Sequence, residues 1–354
     1  MSRTISRNHG ATWSALFPPL LALAFGTVVI LLTSQMPLQA FAAFFLKPFS
    51  ATFFVGNWLA GATPLIITGL AACVAFTAGA FNLGLEGQVY GGAVLAGFLV
   101  LQMSHLPGWL GMWLALPAVF IAGGALAGLS GWMRVKWKVD SLLSTFLIGN
   151  ILVFVCDFLL EGPMLDPSSG LSASGLIPDP AKFWQLSPPS LLHAGIFLSI
   201  FLAIVLAWML KGSTFGYEIR LVGKNVGFSR YGGIPVKRVY FLAFFLSGGL
   251  AALAGAVDVL GAQERVIRGF SSGYGWNGIA VALIARNHPL LVIPAALFFA
   301  YLEAGAQTGG LFADLSPEIA RLIQSVVFFI VSAQALSDYF SRKRVSGKRG
   351  VLHG

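Results

Sequence analysis

Apolar runs about as long as a membrane is thick alternate with short polar interruptions along this chain. Residues 13–34, 57–80, 109–133, 140–160, 191–210, 239–261, 290–308 and 316–337 are predominantly apolar. A helix of about 20 such residues crosses a hydrocarbon core of about 30 Å. The first run is longer than the roughly 7–15 apolar residues of a cleaved signal peptide, so it reads as a retained helix. Pro18 and Pro19 delay its start, and Pro64 predicts a kink or break inside the second span. Residues 35–56, with Pro37, Lys47 and Pro48, read as an outer loop or interfacial segment.

One apolar stretch carries polar side chains. Residues 76–97 read FTAGAFNLGLEGQVYGGAVLAG and include Asn82, Glu86, Gln88 and Tyr90. The spacing places Asn82, Glu86 and Tyr90 on one helical face, after a short turn at 78–82. A carboxylate at membrane depth is costly unless it faces protein, water or a partner. Gly87 and Gly91, in G-x-x-x-G spacing, permit close approach of a second helix. A substrate path or gate meets these requirements; so does a structural polar cluster that pins helices together. Gly124 and Gly128 form a similar packing face in the next span.

Three non-apolar stretches stand out. Residues 161–190 hold six prolines with Ser and Gly, and read as an outer loop. Residues 211–238 carry six Lys or Arg, with apolar and aromatic residues at helical spacing between Phe215 and Tyr231. That pattern predicts a short amphipathic helix. Residues 269–285 are glycine-rich and too short for an upright span. Counted as a short crossing helix, they bring the total to ten crossings with both termini inside. Seventeen of the 22 Lys and Arg residues then fall inside and five outside, as the positive-inside bias requires.

Composition agrees with this layout. The 354 residues are 57% hydrophobic and 10% charged, against about 25% charged in soluble domains. Mean hydropathy is +0.82. The net charge of +9 sits in short loops and at the termini, which is a membrane-topology signal and not a nucleic-acid one. Cys73 and Cys156 lie in apolar runs and read as buried thiols. The chain has no P-loop, and Gly223-Lys224-Asn225 lacks the Ser or Thr that such a loop needs. No metal-binding motif and no catalytic constellation occur, so no cofactor is expected.

Phe81-Asn82-Leu83-Gly84-Leu85-Glu86-Gly87-Gln88 resembles the FN(I/L)G-x-EGQ signature of bacterial ABC-importer permeases of the ribose/branched-chain amino acid class. Thr63–Leu70 (TPLIITGL), Phe215–Gly223 (FGYEIRLVG) and Gly278–Leu283 with Arg286–Leu290 (GIAVAL, RNHPL) are similar to further stretches of the nucleoside subgroup, whose receptor is a basic-membrane-lipoprotein-type protein. The resemblance runs in order from about 57 to 337. It implies an all-α polytopic helical bundle of about ten crossings, one of them short, like type II ABC importer permeases. Residues 1–340 would form the transmembrane permease domain and 341–354 a basic cytoplasmic tail.

The resemblance also implies partners and a role. They are a cytoplasmic ATP-binding subunit, a second permease subunit in a heterodimer, an extracytoplasmic substrate-binding lipoprotein and membrane lipid, with no nucleic acid. The chain would translocate a nucleoside-like or simple-sugar solute across the bacterial cytoplasmic membrane without covalent chemistry. Asn82, Glu86 and Gln88, and on the short segment Ser271, Tyr274 and Asn277, are the candidates for a substrate path or gate. Phe215, Gly216, Tyr217, Glu218, Arg220 and Gly223, in the cytoplasmic loop 211–238, are the candidates for coupling to the ATPase. Asp258 and Glu303 are expected near the outer surface, paired by Arg265 or Arg268. The rival from another class is a proton-coupled transporter using Glu86 or Asp258.

Overall fold

The computed structural model describes residues 20–330, apart from 22, 272, 317 and 327. The basic tail and the end of the last apolar run lie outside the described residues. The described residues form two compact units, Phe49–Ala300 and a smaller one that takes in residues 20–48 and 301–330. Regular structure among them is helical, apart from two isolated bridge pairs, Ala173 with Ile267 and Gln185 with His193.

The helices are α1 (Leu23–Thr33), α2 (Pro37–Phe45), α3 (Thr52–Thr77), α4 (Leu85–Gln102), α5 (Gly108–Trp137), α6 (Ser141–Glu161), α7 (Gly195–Gly212), α8 (Thr214–Lys224), α9 (Val226–Tyr231), α10 (Val236–Asp258), α11 (Tyr274–Ile284) and α12 (Pro289–Phe312). Six of the described helices are long and apolar enough to cross a membrane: α3, α5, α6, α7, α12, and α10 with the π-helical turn Val259–Gln263 that continues it. The 18-residue α4 is shaped like a span but begins on polar residues, and α1 and α11 are shorter apolar helices. The chain is a multi-pass membrane protein.

Helix α10 is the centre of the larger unit, packed on α3, α4 and α5. In lipid, helices gain little from the hydrophobic effect against one another, so association rests on close packing. Small residues supply it. A Cβ on Gly92 of α4 would stand 2.0 Å from the Ala252 carbonyl oxygen of α10, and one on Gly255 of α10 would stand 1.9 Å from that of Val89. Gly87 and Gly91 both face α6, at Gly149 and Leu152, as their spacing predicts. Gly124 and Gly128 face Phe245 and Phe241 of α10.

One expectation needs correction and two become more definite. Helix α3 runs through Pro64 without a break; beside the proline, the Thr68 hydroxyl donates to the Pro64 carbonyl at 2.9 Å. Residues 35–56 are not an irregular loop, because α2 and a 3-10 turn at Lys47–Phe49 occupy them, with Ala40, Ala43 and Phe44 buried. In the smaller unit, Thr308 of α12 donates to the Ala43 carbonyl at 2.8 Å and Tyr301 to that of Phe45 at 2.9 Å. The proline-rich stretch 161–190 is the irregular connection its prolines predict, beyond the end of α6, and it is folded as a cap. Ser174 N–H donates to Val266 O, Ile177 N–H to Glu264 O and Arg268 N–H to Ser172 O, each at 2.9 Å. Ala173, Ser174, Ile177 and Ala181 are buried within it.

Candidate functional site

The polar cluster is built where α3 stops and α4 starts. Gly79, at φ +69°, ends α3. The N–H groups of Ala80 and Gly79 close back on the carbonyls of Ala75 and Phe76, a Schellman turn that needs a left-handed residue at this position. Asn82 therefore lies in the turn and not on a helical face with Glu86. Its Oδ1 accepts the Gly84 N–H at 3.1 Å. Its Nδ2 donates to Gln88 Oε1 at 2.8 Å and to the Ser247 hydroxyl of α10 at 3.0 Å. Gln88 Nε2 donates back to Asn82 Oδ1 at 3.3 Å. Both amides are almost fully buried and close the entry to α4 against α10.

Glu86 points another way. Its Oε1 accepts from the Ser271 hydroxyl at 2.6 Å and the Gly273 N–H at 3.1 Å, and its Oε2 accepts from the Gly275 N–H at 2.7 Å. These groups lead into α11, so a carboxylate of α4 closes the amino end of α11. An anion suits the positive end of a helix dipole and satisfies N–H groups that have no partner within the helix. The two backbones nearly touch here, since a Cβ on Gly275 would lie 2.2 Å from the Glu86 nitrogen. Glu86 and Ser271 are thus brought together, while Tyr274 and Asn277 follow half-buried on the first turn of α11.

One turn further along α4, Tyr90 grips the same loop. Its hydroxyl donates to Asp157 of α6 at 2.7 Å and accepts the Gly269 N–H at 3.2 Å. Arg268 pairs with Asp157 at 3.3 Å and with Glu161. The expected pairing of Asp258 with Arg265 or Arg268 does not form. Asp258 is buried and accepts from Gln263 at 3.2 Å, and the neighbours of Glu303 are Arg321 and Gln324. The signal for the Tyr90–Asp157–Arg268 chain was the polar content of α6 together with the four-residue step from Glu86 to Tyr90.

Beside this junction lies a cavity of about 350 Å³ between α4, α5, α6 and α10. Its wall is apolar, from Leu95, Phe98, Leu126, Leu152, Val155 and Met164, with Gln88 at its polar edge. Phe98, Leu126 and Val155 are partly exposed, so the cavity opens on the flank of the bundle.

The charged stretch 211–238 forms two helices where one was expected. Ser213 caps α8 by accepting the Gly216 N–H at 2.9 Å, and Asn225 caps α9 by accepting that of Phe228 at 2.9 Å. Gly216, Ile219 and Val222 turn inward. Tyr217, Phe228 and Tyr231 are exposed, Tyr231 almost completely at 97%. Phe215, Glu218 and Arg220 are half-buried along the edge of α8. Gly223, in the last turn of α8, lies against the α3–α4 turn, where its Cβ would meet the Thr77 carbonyl oxygen at 2.1 Å. The helix pair therefore touches the turn that carries Asn82.

The model of the family described as branched-chain amino acid transport system, permease component, matches residues 54–332. The glucose ABC transporter permease protein TsgB13 of Haloferax volcanii is 31% identical over 348 residues, covering 94% of this chain and 90% of that protein. The guanosine ABC transporter permease protein NupP of Bacillus subtilis is 28% identical over 335 residues, covering 93% and 95%. The nucleoside ABC transporter permease protein NupB of Lactococcus lactis is 28% identical over 340 residues, covering 90% and 91%.

Proposed function

This chain belongs to the branched-chain amino acid transport system permease family, and from that premise we propose that it carries a nucleoside or simple sugar into the cell. It is a transmembrane permease subunit. The solute class rests on the relatives named for glucose, guanosine and nucleosides, each solute bearing a hydroxyl-rich sugar ring. A cytoplasmic ATP-binding subunit supplies the energy, a second permease completes the membrane unit, and an extracytoplasmic lipoprotein delivers the solute. Both termini lie on the cytoplasmic side of the cytoplasmic membrane.

The observation that carries the energy-coupling part is the pair α8–α9. It presents Tyr217, Phe228 and Tyr231 outward, beside Lys224 and Arg230, from helices whose inner faces are packed. Exposed aromatics beside cations suit a socket in a partner protein. In this reading the ATP-binding subunit seats on α8–α9 and pushes, through Gly223, on the turn at 78–84. The Glu86 junction with α11 is the inner gate that this movement opens, with Asn82, Gln88, Ser271, Tyr274 and Asn277 around it.

Uptake of labelled guanosine and glucose by cells expressing the whole gene cluster tests the proposal. The expected result is uptake of one of them that stops on ATP depletion and survives collapse of the proton gradient. Uptake that follows the proton gradient instead would overturn it.

A further inference from the structure

We propose that the pocket where α5 ends and α10 begins binds the headgroup of an anionic phospholipid. The pocket encloses about 460 Å³ and is lined by Trp132, Val135, Lys136, Lys237, Arg238 and Phe241. Three cations meet there, and no carboxylate lines the wall. Among the described residues, the ion pairs of Lys182 and Arg268 lie elsewhere, and none involves these three side chains.

The neighbouring cation already has partners. Arg134 donates to the Ser141 hydroxyl at 2.6 Å and stands 4.5 Å from the centre of the Tyr240 ring. Lys136 is held against the wall, 4.6 Å above the Trp132 ring. Lys237 and Arg238 sit in the first turn of α10, where the helix dipole disfavours positive charge. Helix stability therefore does not account for them, and three like charges around one hollow repel until an anion enters.

The walls indicate which anion. Trp132 and Phe241 are 38% exposed at the ends of two membrane-spanning helices, a depth at which aromatic rings sit among headgroups. A phosphate on a diacylglycerol satisfies both halves of the pocket, the cations by its charge and the rings by its acyl chains. Basic pockets between membrane helices are suited to such headgroups. Free inorganic phosphate would use only the cations.

Native mass spectrometry of the purified full chain, given equal amounts of phosphatidylglycerol and phosphatidylcholine with the same acyl chains, tests this. The expected result is selective retention of phosphatidylglycerol that excess inorganic phosphate does not displace. Replacing Lys136, Lys237 and Arg238 together by Gln should weaken retention about fivefold per cation removed, while Lys182→Gln in the cap should not. Should the triple variant fail to purify as a monodisperse species, Arg238→Gln alone carries the same measurement. Equal retention of the two lipids, or unchanged retention in the variants, overturns the proposal. So does displacement by phosphate, which would leave a simple anion site. Unchanged lipid retention by the variants, together with a lower yield of the ATP-binding subunit when the two are co-expressed and purified, would reassign the cations to protein docking.

Discussion

Gly79 and Gly223 meet backbone to backbone: a Cβ built on Gly79 would stand 3.0 Å from the Gly223 Cα and 3.1 Å from its carbonyl oxygen. One residue follows the carboxy end of α3 and the other lies in the last turn of α8. No side chain lies between them to absorb movement, so a displacement of α8 passes directly to the turn that holds Asn82. Gly223→Ala must push α8 away, because its Cβ would lie 2.1 Å from the Thr77 carbonyl oxygen. We expect this variant to insert normally and bind the ATP-binding subunit, but to lose most uptake. Gly79→Ala adds the strain of a left-handed backbone, about 1 kcal/mol, and should also be less stable. Full uptake by Gly223→Ala would remove the mechanical link.

Glu86 provides a separate test. Hydrogen bonds to a charged group contribute about 1.5–3 kcal/mol each, and Glu86 accepts three. Glu86→Gln keeps the shape but replaces an acceptor with a donor that faces N–H groups. It should cut uptake at least tenfold, about 1.4 kcal/mol, at near-normal expression. Ser271→Ala removes one of the three bonds and should have a smaller effect. Normal uptake by Glu86→Gln would leave the junction as packing alone.

Asn82 and Gln88 should behave as a unit. Removing either leaves the other amide buried without its partner, at about 1–3 kcal/mol. A double-mutant cycle of Asn82→Ala and Gln88→Ala, read by thermal unfolding in detergent, should show the double variant less destabilised than the sum of the singles. Strict additivity would mean that the two amides act independently.

The cap carries a pH dependence. His193 is buried, and burial pushes its pKa down to about 4. Its Nδ1 accepts the Gly195 N–H at 3.2 Å, and its Nε2 has no partner. An unfolded histidine titrates near 6.5. Between about 6.5 and 4 the unfolded chain takes up a proton that the folded cap refuses, so stability falls as pH falls through this window and is flat above it. The full span corresponds to about 3 kcal/mol, at about 1.36 kcal/mol per pKa unit. Asp166 and Asp179, held low chiefly by the side chains of Ser168 and Lys182, add acid lability below the ordinary carboxylate range. Melting curves from pH 7.5 to 4 should show a shallower decline in His193→Gln than in the parent; identical slopes would exclude His193 as the source.

Much of this architecture was legible because membrane helices obey one-dimensional rules. Length and apolarity marked the spans, and Gly87 with Gly91 announced a helix contact that is present, against α6. What escaped depended on three-dimensional partners. Nothing local reveals that Glu86 reaches a helix start 189 residues later. Periodicity placed Asn82 on the helix because it cannot register the Schellman turn at Gly79. Residues 37–45 hid as a loop because a nine-residue helix is too short to read as a span. The proline-rich stretch was legible as a connection without long helices, but not as a folded cap, because its order lies in backbone bonds to residues 260–268, which composition does not encode.

Those bonds have a practical consequence. Long surface connections are the usual places to insert a tag or tolerate a protease cut, yet tolerance follows burial and backbone bonding and not position in the chain. Here the longest connection supplies carbonyls and N–H groups to residues 264–268, just ahead of a helix of only 11 residues, about 16 Å long. Such a helix spans about half of a bilayer core. An epitope placed between 172 and 177 would therefore unseat the approach to α11, whereas one placed at the exposed Leu171 side of Gly170 faces open space and is the better site for a label.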